Sequence, residues 1–337
     1  MRSLSRRQFL RGSLAVAGLG LGSACGMLPL LGQQAAKIHR IGFLGVGSRE
    51  GRAFLIAGLR AGLREHGYTE GENILIEYRF SEDRDDRLPD LAAELVALQV
   101  ELIVVSGSPA SFAAKQVTGT LPLVMGGVAA DPVETGLVAS LAHPGGNITG
   151  MSMMSAPLGG KRLELFKEII PSLARVAALW NPTNPAYGPV LRELEAAAQT
   201  LGLGLERLEV RVPEDLEGAF AAAVRQHAGA LIVPADPLTT NRQPMVAGLA
   251  LGHHLPTMME YREFAAIGGL LGLGVDLTDL YRRSATHVDK ILKGAKPADL
   301  PMEQPVKLDV AVNLKTAQSL GLSIPPSVLQ QATEIIQ

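Results

Sequence analysis

From Ile38 onward the apolar residues of this chain fall into two alternating patterns. Short runs rich in aliphatic residues at 38–44, 74–80, 102–105 and 121–125 predict strands. Between them, residues 54–65, 88–98 and 110–117 place apolar side chains three and four positions apart, which predicts amphipathic helices. After Gly150 the pattern starts again. Strands are predicted at 176–180, 205–210 and 230–233, and helices at 190–201, 216–227 and 245–253. Alternation of this kind builds parallel sheets with helices on both faces, because each crossover helix must return the chain to the same sheet edge.

The two halves correspond loosely. Asp90-Leu-Ala-Ala-Glu-Leu leading to Leu102-Ile-Val-Val-Ser-Gly-Ser is matched by Asp215-Leu-Glu-Gly-Ala-Phe leading to Leu231-Ile-Val-Pro-Ala-Asp. The predicted fold class is therefore α/β, with two doubly wound parallel-sheet lobes facing each other. Residues 144–150, Pro-Gly-Gly-Asn-Ile-Thr-Gly, stand between the halves. Their glycines permit unusual backbone angles, so Asn147, Ile148, Thr149 and Gly150 are the expected hinge, against the alternative of an ordinary surface turn.

The first 24 residues break both patterns. Ser5-Arg6-Arg7-Gln8-Phe9-Leu10-Arg11 has the form of a twin-arginine export signal. A short apolar run over 14–21 and the small residues Gly22, Ser23 and Ala24 follow it. The run is far shorter than the roughly 20 residues of a membrane-spanning helix. Cys25, the single cysteine, allows no intramolecular disulfide. Its position after Leu21-Gly22-Ser23-Ala24 resembles a loosened bacterial lipobox, so lipidation at Cys25 is expected; cleavage nearby or an uncleaved anchor are the alternatives. Residues 25–37 then read as a tether.

Composition narrows the partners. Removing residues 1–24 takes away four arginines and no acid, which moves the formal charge from −2 to −6. Neither value leaves an electrostatic footprint for nucleic acid or an anionic membrane surface. Aromatic residues make up only 4% of the chain, so the cores must be aliphatic.

In open α/β sheets ligands bind beyond the carboxyl ends of the strands. In the first lobe those positions hold Gly47 and Ser48, then Ser106, Gly107 and Ser108, then Gly127 and Asp131. In the second they hold Asn181, Asn184 and Asp236, with Tyr187 and Tyr261 nearby. Glycine and serine let backbone N–H groups at a helix start approach an anion, and the helix dipole assists. Asp236 on the opposite lobe would receive an ammonium group, so a zwitterion would be gripped from both sides. Each of these residues also suits helix capping; their recurrence at successive strand ends favours a site.

Arg40-Ile-Gly-Phe-Leu44, Gly58-Leu-Arg-Ala-Gly-Leu-Arg-Glu-His-Gly-Tyr68, Glu77-Tyr-Arg79, Asp131-Pro-Val133, Pro144-Gly-Gly-Asn-Ile-Thr-Gly150, Leu179-Trp-Asn-Pro182 and Lys290-Ile-Leu-Lys-Gly-Ala-Lys-Pro-Ala-Asp-Leu-Pro301 occur in order, followed by Glu303-Gln-Pro305. Through these strings the chain, from about residue 38 to its end, resembles the bacterial ABC-transporter substrate-binding proteins that include the tryptophan/tyrosine-type binding proteins. The resemblance implies a type I periplasmic-binding fold. Lobe 1 would occupy 38–148 and lobe 2 149–264, and 265–337 would cross back over both, with a helix at 279–293. It also implies a small-molecule ligand, most simply an amino acid or related carboxylated solute, and an ABC permease and ATPase as partners. Delivery to a sensor instead of a permease is the alternative. Two segments depart from the family's habit: Ser106-Gly-Ser108, where a Gly-Thr-Pro type loop is usual, and Leu270-Leu271-Gly272, where a more polar stretch is common.

Enzymatic readings find little support. Gly45-x-Gly47-x-x-x-Gly51 misses the dinucleotide-loop spacing. His253 and His254 are adjacent, and adjacent helical residues diverge by about 100°, which argues against a shared metal. No cofactor, metal or catalytic residue is expected. The expected place of work is the periplasm or the outer face of the cytoplasmic membrane, reached through the twin-arginine machinery, with membrane contact only through a lipid anchor. One acyl chain holds a protein marginally and two hold it stably. Cys25→Ser is therefore expected to move the protein into the soluble periplasmic fraction. Fractionation that ignores the substitution would remove the lipid anchor from this reading.

Overall fold

The structure, a computed structural model, describes residues 37–153, 158–184, 186–305 and 308–337. The expected leader, Cys25 and the tether as far as residue 36 lie outside them. The first lobe runs through β1 (His39–Gly45), α1 (Ala53–Glu65), β2 (Ile74–Phe80), α2 (Leu88–Ala97), β3 (Ile103–Ser106), α3 (Ser108–Val117), β4 (Leu123–Val128) and β5 (Ile148–Ser152). Its five strands are all parallel, in the order β2-β1-β3-β4-β5. The central strands β3 and β4 are buried along their whole length. That is why their sequences are near-continuous apolar runs without alternation.

The second lobe comprises α4 (Gly159–Ile169), β6 (Arg175–Trp180), α5 (Tyr187–Thr200), β7 (Gly204–Glu209), α6 (Asp215–Arg225), β8 (Ala230–Val233), α7 (Pro237–Thr240), α8 (Gln243–Gly252), β9 (Thr257–Met259), α9 (Glu263–Ala266) and β10 (Leu271–Gly274). Then come α10 (Leu277–Leu292), β11 (Asp309–Asn313), α11 (Leu314–Ser319), α12 (Pro326–Gln331) and β12 (Glu334–Ile336). The second sheet has seven strands, in the order β12-β11-β10-β9-β8-β6-β7. The α/β class with two parallel-sheet lobes holds, with one departure: β10 and β11 pair antiparallel. The chain leaves the second lobe between them to form α10, so no local crossover helix constrains β11 to run parallel.

The chain passes between the sheets between β5 and α4, between β10 and α10, and between residue 303 and β11. The expected hinge is not among these places. Ile148, Thr149 and Gly150 belong to β5 and are buried in the first sheet. Thr149 Oγ1 donates to the Leu300 carbonyl at 2.7 Å, and Asn147 Nδ2 donates to the Leu121 carbonyl at 2.8 Å. The glycines mark a tight entry into a strand, and the first lobe's sheet extends to Ser152, so a lobe boundary at 148/149 falls within a strand.

The long helix α10 returns to the first lobe. Asp276 caps it by accepting from the Asp279 N–H at 3.0 Å. Leu277, Leu280, Tyr281, Ala285, Val288 and Ile291 recur every three or four residues and enter the same apolar cluster as Leu55, Leu59 and Leu63 of α1. The approach is close because α1 presents Gly58 and Gly62 there. A Cβ at Gly58 would lie 2.5 Å from the Thr278 carbonyl oxygen. In an isolated helix Gly→Ala gains about 1 kcal/mol. At Gly62 the added carbon would sit 1.9 Å from the Arg282 carbonyl oxygen, and overpacking of this sort costs about 1–3 kcal/mol. Gly62→Ala is therefore expected to lower the urea midpoint. Gly218→Ala, in α6 where nothing approaches within 4 Å, is expected to raise it. The same sign for both would refute the close packing of α1 on α10.

Candidate functional site

In each sheet the order of strands reverses direction at one strand: β1 lies between β2 and β3, and β6 between β7 and β8, with the later strands added on opposite sides of it. Loops leaving the carboxyl ends of strands at such a switch diverge and leave a crevice. The two crevices face each other, and a cleft between them is lined by residues of both lobes.

The first-lobe wall is rich in donors. Arg52, just before α1, is 5% exposed and lines the cleft. Its Nε donates to the Val46 carbonyl at 3.3 Å. Among the described residues no carboxylate lies within ion-pair distance of its guanidinium, although Asp85 feels its charge from farther away. Gly107 takes φ +92° and turns β3 directly into α3. Ser106 and Ser108 flank it, both buried and both on the cleft. Ser108 Oγ accepts from the Ala130 N–H at 3.2 Å. Gly127 also lines the wall, and Leu55, Met153 and Leu277 make it partly apolar.

The second-lobe wall carries the acid. Asp236, 2% exposed, caps α7: Oδ1 accepts from the Leu238 N–H at 2.8 Å. Oδ2 accepts from Asn184 Nδ2 at 2.7 Å and from Asn181 Nδ2 at 3.4 Å. Burial pushes the Asp236 carboxyl up from its ordinary range, and these hydrogen bonds oppose the shift. Tyr261 and Thr240 complete this side. Burial raises the Tyr261 phenol, and the neighbouring Glu260 carboxylate adds to the effect.

Of the residues expected from the sequence, the cleft brings together Ser106, Gly107, Ser108, Gly127, Asn184, Asp236 and Tyr261. Gly47 and Asn181 line an adjoining recess that shares Asp236 with the cleft and also contains Asp83, Asp85 and Arg242. Three expected residues do other work. Ser48 Oγ accepts from the Gly51 N–H at 3.1 Å and closes a turn. Asp131 Oδ1 accepts from the Val133 and Glu134 N–H groups at 2.8 and 2.9 Å in an exposed turn. The Tyr187 hydroxyl donates to the Pro234 carbonyl at 3.4 Å, behind the wall that carries Asp236, and is not among the residues lining the cleft. In these three a capping or framework role prevails over binding.

Sequence reasoning missed Arg52, Leu55, Met153, Thr240, Leu277 and Tyr281. Arg52 was within reach, since it lies at the start of the helix that follows the first strand. Tyr281 and Leu277 arrive on α10 and carry no local sign of their place. Among the described residues no group of three or more His, Cys, Asp or Glu side chains is arranged to hold a metal ion. No helix among them is long and apolar enough to cross a membrane.

The lobes meet at the mouth of the cleft. Arg242 Nη2 lies 2.6 Å from Asp83 Oδ2, and Arg192 pairs with Glu134 across the same gap. Asn241 covers Gly47 so closely that a Cβ there would come within 1.9 Å of Nδ2.

Comparison with known proteins agrees with this architecture. A tyrosine-binding protein of Clostridioides difficile (strain R20291) is 25% identical over 260 residues, covering 77% of this chain and 74% of that protein. An ABC domain from Streptococcus pneumoniae, solved in complex with L-Trp, is 28% identical with a TM-score of 0.83, covering 89% of this chain and 100% of that one. A conserved domain protein from Vibrio cholerae is 25% identical with a TM-score of 0.84 over the same shares. The family model described as "ABC transporter substrate binding protein" matches residues 41–336, and the chain belongs to that family.

Proposed function

We propose that this protein captures an α-amino acid in the cleft, outside the cytoplasmic membrane, and delivers it to an ABC importer. The observation that carries the reading is Arg52. A buried guanidinium is costly unless a negative group meets it. Among the described residues none lies within ion-pair distance, and the cation lines the cleft. A ligand carboxylate would satisfy it, joined by the serine hydroxyls and the first N–H groups of α3. Asp236 and Asn184 would face the ammonium group from the other lobe. Leu55, Met153, Leu277 and the Tyr261 ring would then receive an apolar or aromatic side chain. Relatives that bind tyrosine or hold L-Trp support this class of ligand.

The contacts at the mouth are those of lobes drawn together over a ligand. Closure removes water and strengthens the polar contacts inside. Rotation would draw on the three connections between the sheets.

Two outcomes are expected. In a calorimetric screen of amino acids, sugars and nucleosides, an amino acid binds, and Arg52→Gln weakens it at least tenfold. Truncating one partner of a buried charged pair costs about 2–5 kcal/mol. A sugar or nucleoside as the only hit would overturn the carboxylate reading. An amino acid bound equally well by Arg52→Gln would remove Arg52 as its anchor.

The second outcome concerns motion. Small-angle scattering is expected to show a smaller radius of gyration with the amino acid than without it. Gly47→Ala is expected to diminish that change and raise Kd without touching the ligand, because Asn241 no longer fits over the turn. An unchanged radius at saturation in the wild type would exclude closure.

A further inference from the structure

The Tyr281 hydroxyl lies 2.6 Å from Ser106 Oγ. Tyr281 belongs to α10, is 1% exposed, and its ring rests against Gly126, where a Cβ would be 2.4 Å from the ring. The bond links α10 to the first-lobe wall of the cleft.

The direction of this bond follows from the groups available. A buried phenol must place its proton on an acceptor, since an unmet buried donor is costly. Among the described residues its one hydrogen-bond partner is Ser106 Oγ. Were Ser106 to donate instead, the phenol proton would be left unmet. The phenol therefore donates and Ser106 accepts. Burial pushes the phenol up to about 12, so it keeps this proton at every physiological pH. Ser106 retains its own proton, and the residue lines the cleft. Ser108 is arranged alike, since its oxygen accepts from the Ala130 N–H. Each serine oxygen thus receives a donor from the protein and keeps a proton to offer.

We propose that Tyr281 is a positioning residue for ligand specificity: by donating to Ser106 Oγ it turns the Ser106 proton toward the cleft and selects a carboxylate over the corresponding carboxamide. The inference rests on the amino-acid reading above. A chain of hydroxyls running from phenol to serine to carboxylate is polarised along its length, so each bond strengthens the next. A carboxylate accepts at both oxygens. A carboxamide brings an NH2 group that finds donors opposite it. The wall formed by Arg52, Ser106, Ser108 and the start of α3 therefore discriminates by hydrogen-bond polarity as well as by charge.

The test uses the folded protein with L-tryptophan, L-tyrosine and L-leucine, each beside its carboxamide, and reads Kd by calorimetry. The wild type is expected to bind at least one of these acids more tightly than its amide. Tyr281→Phe removes only the hydroxyl. It should weaken acid binding about fivefold, equivalent to about 1 kcal/mol for one hydrogen bond, and weaken the amide less, so that the acid-to-amide preference falls. Ser106→Ala reaches the same bond from its other end. In the Ser106→Ala background, Tyr281→Phe is expected to change neither Kd, because Tyr281 acts through that oxygen. A merely structural tyrosine would give equal losses for acid and amide, and its effect would persist in the Ser106→Ala background; either result overturns the proposal. An unchanged preference in Tyr281→Phe overturns it too, while leaving the amino-acid reading intact. Failure of the wild type to bind any of the three acids would remove both.

Discussion

The close contact of α1 with α10 is the constraint on which the rest of the structure depends. Gly58 and Gly62 let the backbone of α10 approach so nearly that no other residue fits without displacement. This contact takes a segment that follows the second lobe's strand β10 and fixes it in the first lobe. Two of the connections between lobes, those before and after α10, exist because of it. So does the placement of Leu277 and Tyr281 beside the cleft. The side chains that hold α10, aliphatic apart from Tyr281, are spaced for a helix, so ordinary burial supplies the adhesion, while the glycines set the distance.

The cleft takes its polarity from the way each lobe satisfies its own strand ends. In the first lobe, serines and a glycine lead straight into α3, so donors accumulate beside Arg52. In the second, Asp236 caps α7 and holds two asparagine amides, so the wall is organised by a carboxylate. The dual use of Asp236 means that replacing it disturbs the framework along with the cleft. A solute with a carboxylate at one end and an ammonium at the other matches this division.

Behind the second wall, Arg162 and Glu260 form an ion pair that is wholly buried, 3.0 Å apart. Burial pulls the guanidinium down from its ordinary value and the Glu260 charge opposes that. Such pairs contribute little net stability, because desolvation offsets their attraction. Their effect here is geometric. The pair ties α4, the first helix after one connection, to the residue preceding Tyr261. Arg162 also reaches the Leu273 carbonyl, at 3.5 Å, just before the chain leaves for α10. The lobe-2 ends of two connections are thereby held in register with a wall of the cleft.

The sequence by itself determined the alternation of strands and helices, the doubling into two lobes, and the strand-end loops that furnish Ser106, Gly107, Ser108, Asn184 and Asp236. These follow from local periodicity and from the rule that ligands sit beyond strand ends, and both act within about fifteen residues. It misjudged features whose meaning depends on neighbours distant in sequence. Asn147, Ile148, Thr149 and Gly150 carry the composition of a hinge, yet the pairing of β5 with β4 makes the last three part of a sheet, and Asn147 just before them is tied to the Leu121 carbonyl. Asp131 and Ser48 have binding chemistry, but adjacent N–H groups claim it first. Only the tertiary structure decided that Tyr281, 175 residues beyond Ser106, would donate to it. Only it decided that Arg52 would be buried with no carboxylate of the described residues in ion-pair reach. A side chain's partners are set by which helix packs where, and for α10 that choice rests on two glycines in a helix more than two hundred residues earlier.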